Sequence, residues 1–228
     1  MSPPVAPDGF SASLRREVDD LWQEILAHPF VRGLGDGTLA RERYAAYLRE
    51  DYPYLREYVR AMALGAGIAE DLEAQRFFTE QAHLTLTVEM DLHRQAASAF
   101  GLTEADLEAV RPDVATRAYA AHLVGTARAG PEADLVAALL PCAAGYVEIA
   151  GHLAAQGLPE VPAYRAWIEA YTSDAMKALA RWLEERLDHH ALVADDDTRA
   201  RWRALYRTSA QAELAFFAQA WEQPTSNR

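Results

Sequence analysis

One thiol, two carboxylates on apolar faces and a cluster of phenols are the side chains of this 228-residue chain whose type and spacing could do chemistry. Cys142 is the sole cysteine, in the run Leu-Leu-Pro-Cys-Ala-Ala-Gly-Tyr-Val-Glu-Ile-Ala-Gly from Leu139 to Gly151. Helical spacing puts Leu135, Leu139, Cys142, Tyr146 and Ile149 on one face, so the thiol points inward with a phenol one turn later. Pro141 has no amide proton and crowds the carbonyl of Ala137, which predicts a kinked or opened helix just before the thiol. An ionised thiol there would be a nucleophile; an unpaired cysteine in an apolar run can equally be a small buried hydrophobe. Five of the ten tyrosines, Tyr44, Tyr47, Tyr52, Tyr54 and Tyr58, cluster upstream. The face through Tyr44, Tyr47, Leu48, Asp51, Tyr54 and Tyr58 has a carboxylate at its middle. A buried acid is costly unless it is hydrogen-bonded or changes protonation state, so Asp51 is a candidate functional group. The alternative is that Asp51 caps amides freed by a helix break at Pro53. Glu213 is the second such acid, on a stripe of Tyr206, Ala210, Phe217, Ala220 and Trp221.

Other arrangements suggest metal or phosphate chemistry. Glu80-x-x-His83 has the spacing of di-iron helical bundles, which need a second such pair and two more carboxylates. Glu89 with His93 and Glu148 with His152 are each four apart, so these histidines read as hydrogen-bonded packing residues. A metal-dependent oxidase remains a competing hypothesis. Gly33, Gly35 and Gly37 resemble a phosphate loop in composition only. With no preceding strand and no Lys-Ser/Thr ending, they predict a turn before a helix capped by Thr38.

The elements that must position these groups are helical. Half the residues are hydrophobic, glycine and proline are modest at 12 and 11, and Ala/Leu/Glu/Arg stretches dominate, giving an all-α class. Helices are expected over 11–27, 39–57 with a break at Pro53, 71–100, a short Thr103-capped segment, one through Tyr119 and His122 to Gly130, then 131–156, 163–171, 174–190 and a last one after the acids at 195–197. Between them, 61–69 is rich in Ala and Gly and permits close helix approach. Together they make one domain, 10–222, with loose ends at 1–9 and 223–228. A formal charge of −12 argues against a nucleic-acid partner. One cysteine forbids an internal disulfide and suits a reducing cytosol, so a cytoplasmic location is expected. The beginning shows neither a basic segment nor an apolar run, and no stretch of about 18 apolar residues predicts a membrane span.

Taken in order, the His28-to-Leu39 run, Asp51-x-x-Tyr54, Glu89-Met-x-Leu-His93, Ala138-Leu-Leu-Pro-Cys142 with Tyr146 and Glu148, Trp167-Ile-x-x-Tyr171 and the late Glu213 resemble the thiaminase II (TenA) family over about residues 10–221. The resemblance implies an all-α heme-oxygenase-like bundle, a homotetramer, and hydrolysis of aminopyrimidines in thiamin salvage without metal, heme or other cofactor. It makes Cys142 the nucleophile, Glu213 the general acid and base, and Asp51 the partner of the pyrimidine ring nitrogen and amino group. Tyr54, Tyr119, Tyr146 and Tyr171 match phenols that line the pocket. The chain departs from the family at Ala143, Ala144 and Gly145 and at Ala210 to Ala212, where bulkier or aromatic residues are common, and this bears on pocket size. A non-catalytic pyrimidine-binding or regulatory protein is the alternative of another class.

Overall fold

The molecule is organised around α9 (Glu132–Gln156), which is apolar nearly all round and is therefore buried nearly all round. In the computed structural model, which describes residues 9–222, this helix packs against α8 (Val114–Ala129), α10 (Pro162–Tyr171), α11 (Asp174–Ala191) and α12 (Asp196–Glu222). Its length and apolarity would suit a membrane crossing, contrary to the expectation from the sequence, but most of it is core. The polar groups at its start are paired. Glu132 accepts from Arg186 at 2.5 and 3.0 Å, and Asp134 accepts from Trp202 Nε1 at 2.8 Å and Arg201 Nε at 2.9 Å. A second long helix, α4 (Arg41–Ile68), lies against α8 and α5 (Leu72–Leu84) and carries the tyrosine face into the same interior. One continuous apolar cluster extends from Leu14 to Ala220, and no strand occurs among the described residues. The ends expected to be loose lie outside the described residues, except Gly9, whose carbonyl accepts the first helical bond, from Ser13.

Several boundaries differ from those expected. The first helix is two, α1 (Phe10–Glu17) and α2 (Asp19–Ala27), hinged at Val18, so that Leu14, Val18, Trp22 and Ile25 all bury. The glycine run is helix rather than turn: α3 (Pro29–Asp36) has proline at its first position, where no amide is missed, and His28 Nδ1 accepts from Phe30 N. Only Gly37, at φ 81°, is left-handed, and it ends that helix. Thr38 caps no helix; its amide and hydroxyl both donate to Asp36 Oδ1, and α4 begins after Ala40. Neither internal proline ends its helix. Pro53 lies within α4 and Pro141 within α9, because buried side chains before and after each proline outweigh the roughly 3 kcal/mol that a mid-helix proline costs. Asp51 therefore has no broken helix to cap.

The expected 71–100 helix is interrupted without ending. After α5 comes a π-helical turn, Thr85–Glu89, and then α6 (Met90–Ala99). In an unbroken α-helix, Ala74 and Ala97, both fully buried, would lie roughly 140° apart around the axis. The extra residue held in the π turn removes about 100° of that, which keeps Ala74, Phe78, Thr85, Met90, His93 and Ala97 on the inward side. A short α7 (Glu104–Glu108) follows, with the expected Thr103 cap completed by Asp106.

Candidate active site

Four helices meet at the thiol. The Tyr54 hydroxyl, from α4, donates to Cys142 Sγ, from α9, at 3.2 Å. The Tyr119 hydroxyl, from α8, donates to Glu213 Oε1, from α12, at 2.6 Å. The Tyr54 and Tyr119 rings are 5.0 Å apart between centroids, so two phenols link the nucleophile candidate to the acid. Beside them Tyr146, Trp167 and Tyr171 form an aromatic wall, with Tyr146 and Tyr171 centroids 4.8 Å apart and Trp167 and Tyr171 4.6 Å apart. Asp51, 8% exposed, has its Oδ2 3.4 Å from His93 Nε2. Behind the site, Ser209 Oγ donates to the carbonyl of Ala138 at 2.7 Å and sits 3.1 Å from His122 Nε2, tying α12 to α9 beside Pro141.

Burial dominates the electrostatics. It holds Asp51 well above the usual carboxylate range, and the neighbouring charges of Glu89 and Glu213 add to this. Burial likewise pushes Glu213 up to about 8, while the Tyr119 and Tyr146 phenols pull it back. Of these two, Tyr119 makes the hydrogen bond and Tyr146 acts at longer range; Glu213 Oε2 has no partner. The Cys142 thiol is raised well above its ordinary value, by burial first and the Glu213 charge second, with the Tyr54 hydrogen bond opposing. Glu89 is raised by burial, against a compensating contact from Thr85. Among the described residues no arginine or lysine acts on Asp51, Glu89 or Glu213. His93 is held neutral, down to about 4, by burial and then by Arg94. At rest the site holds a thiol and acids whose ionised forms burial disfavours, suited to a ligand that brings positive charge.

All seven candidate residues named from the sequence lie in or against this one cluster: Cys142, Glu213, Asp51, Tyr54, Tyr119, Tyr146 and Tyr171. Sequence reasoning passed over Glu89 and His93 as groups of this site. Their spacing of four was visible, but the π turn that aims them inward was not. Tyr58 and Tyr47 also face it, the latter accepting from Trp167 Nε1 at 3.2 Å. Glu80 and His83 are exposed and stand apart. Glu148 pairs with Arg15 at 2.6 Å, and His152 meets Gln156. Among the described residues no group of three or more His, Cys, Asp or Glu is placed to hold a metal ion. Gly145 does not enlarge a pocket, because the fully buried Trp22 ring fills the space a side chain would take.

Known proteins resemble the chain over nearly its whole length. It is 37% identical to the aminopyrimidine aminohydrolase of Halalkalibacterium halodurans, over 94% of this chain and 96% of that one. The TenA homologue protein from P. horikoshii OT3 superposes with a TM-score of 0.87 at 29% identity, covering 93% of this chain and 98% of the other. A domain from Shewanella denitrificans OS217 described as having a heme oxygenase-like fold superposes with a TM-score of 0.71 at 19% identity, over 95% and 96% of the two chains, and supports the fold. The TENA/THI-4/PQQC pattern matches residues 15–223, and the chain belongs to that family.

Proposed function

We propose that this protein is an aminopyrimidine aminohydrolase of thiamin salvage, of the thiaminase II type, which replaces the amine of 4-amino-5-aminomethyl-2-methylpyrimidine by hydroxyl. The observation that carries the reading is the Cys142–Tyr54 and Tyr119–Glu213 arrangement, a lone thiol and a protonated acid joined by two phenols whose rings pack at a tilt. Nearly full-length similarity to a protein named for this activity supports it.

The chemistry follows from the groups present. An amine on a methylene attached to an aromatic ring leaves poorly, and adding a nucleophile to the ring lets ring electrons expel it. Cys142 loses its proton and its sulfur bonds to the ring carbon adjacent to the one bearing the aminomethyl arm. The electron pair moves toward the ring nitrogen held by Asp51, which receives the proton that the thiol gave up. Glu213 protonates the amine as the carbon–nitrogen bond breaks and ammonia leaves. Glu213 then takes a proton from water, whose oxygen bonds to the methylene. The carbon–sulfur bond breaks, the ring loses its added proton and the thiol is restored. Amine and water become alcohol and ammonia, with no change of oxidation state. Tyr54 stabilises the thiolate, and Tyr146 and Tyr171 supply a stacking wall for the ring.

The reading includes a small-molecule pyrimidine as partner and the homotetramer implied by family likeness. Leu84, Leu86, Val88 and Leu92, all at least 40% exposed along α5, the π turn and α6, are apolar surface that self-association would cover. The test of function is a panel of thiamin and aminopyrimidines assayed for ammonia and hydroxymethylpyrimidine. Ammonia matched by the alcohol is expected from the aminomethyl substrate; tight pyrimidine binding without turnover would instead indicate a binding or regulatory protein.

A further inference from the structure

The mechanism above uses two carboxylates, and the site contains a third. Glu89 closes the π turn Thr85–Glu89, and single π turns inside helices recur at functional sites. The residue one turn later, His93, touches Asp51, so Glu89 lies on the wall facing Asp51. Its charge acts on Asp51, on Cys142 and on the Tyr58 and Tyr171 phenols. Glu89 is half-buried, whereas Asp51 and Glu213 are buried, which puts it on the solvent side of the three. Among the described residues no arginine or lysine acts on its carboxylate. His93 is neutral, and Arg94 is tied outward to Asp91 at 2.7 Å, Glu104 at 3.1 Å and the Tyr52 hydroxyl at 3.4 Å. Three carboxyls without a cation are costly to assemble unless a ligand supplies the missing charge.

We propose that Glu89 is a specificity-determining residue that selects cationic over neutral pyrimidines, acting with Asp51 and Glu213 as a three-carboxyl cage around the charged substrate. The inference rests on the aminohydrolase reading and deepens it: the amine substrate arrives as an ammonium at neutral pH and yields one proton to the carboxyl cage, from which Glu213 returns a proton to the departing nitrogen, whereas the alcohol product is neutral. The cage then favours substrate entry and product exit.

The test is calorimetric binding of two probes, the aminomethylpyrimidine and its hydroxymethyl counterpart, to Cys142→Ser protein with and without Glu89→Gln. Loss of a charge-assisted contact should cost the glutamine variant about tenfold or more of the preference for the amine. Affinity for the alcohol should stay the same or tighten, and Glu89→Asp should retain most of the preference. With Cys142 present, Glu89→Gln should raise KM for the amine while changing kcat little. Should the glutamine variant not fold, Glu89→Met reads the same ratio. An unchanged amine-to-alcohol ratio in a folded variant overturns the proposal while leaving the aminohydrolase reading intact. Failure of the unsubstituted protein to bind or turn over either probe overturns both.

Discussion

Glu213 lies on the buried stripe of α12, and its carboxyl stays protonated to about pH 8 because burial penalises the charge. A protonated acid at neutral pH is what departure of an amine requires, so Glu213→Gln should lower turnover by roughly 10²-fold or more while the fold survives. A destabilised variant with full ammonia release would assign Glu213 a structural role only. The same shift makes a stability prediction. A carboxyl raised in the fold stabilises fully below its ordinary value of 4.5, and that contribution is lost as pH rises through about 8. His93 acts in the opposite sense: held down to about 4 in the fold against an ordinary 6.5, it costs stability as pH falls through that interval. Above pH 6.5 His93 no longer opposes Glu213, so the melting temperature should fall as pH rises toward 8, and Glu213→Gln should make the fall shallower. Equal slopes in the two proteins would contradict this. Asp51→Asn keeps size but removes the group that shares a proton with the ring, so binding and rate should fall together, read as pyrimidine affinity and ammonia release. At this scale the sequence was informative, because an acid among apolar neighbours and a lone thiol on an inward face are visible as spacing. Glu89 was not legible as a site residue, since its direction depends on a change of helical period.

The elements show where period and punctuation mislead. Pro53 and Pro141 were expected to break or open their helices, and both are carried through, because helix ends are decided by what the flanking turns bury as well as by one missing amide. The glycines of α3 were read as a turn, whereas Gly33 and Gly35 let the helix approach Leu39 and Leu153. Gly145 was read as bearing on pocket size, and its missing side chain is the space occupied by Trp22 of α2. Gly145→Ala should therefore overpack the α2–α9 contact and destabilise the fold by about 1–3 kcal/mol, measured by denaturant unfolding. A variant as stable as the parent would mean that Trp22 moves aside freely. Because Gly145 lies three residues from Cys142, the same variant should also lose turnover.

Across the whole molecule, the all-α class was legible from composition and the order of helices from their capping and breaking signals. That α9 would be the centre was less so, since its apolar sequence resembles any buried or membrane-crossing helix until its neighbours are known. What the bundle accomplishes is convergence: α4, α8, α9 and α12 each contribute one side chain to a closed line of groups from Cys142 to Glu213. The exposed apolar side chains at Leu84, Leu86, Val88 and Leu92 belong to a different property, and light scattering of the purified protein should give the mass of a homotetramer; a monomer would leave that surface unexplained. The central claim is that this convergence makes a covalent hydrolase. The most direct measurement is ammonia release from the aminomethylpyrimidine by the unsubstituted protein and by Cys142→Ser, with calorimetric binding measured on both. The account predicts turnover in the first, no turnover in the second, and nearly equal pyrimidine affinity in the two. Undiminished ammonia release by the serine protein would contradict it.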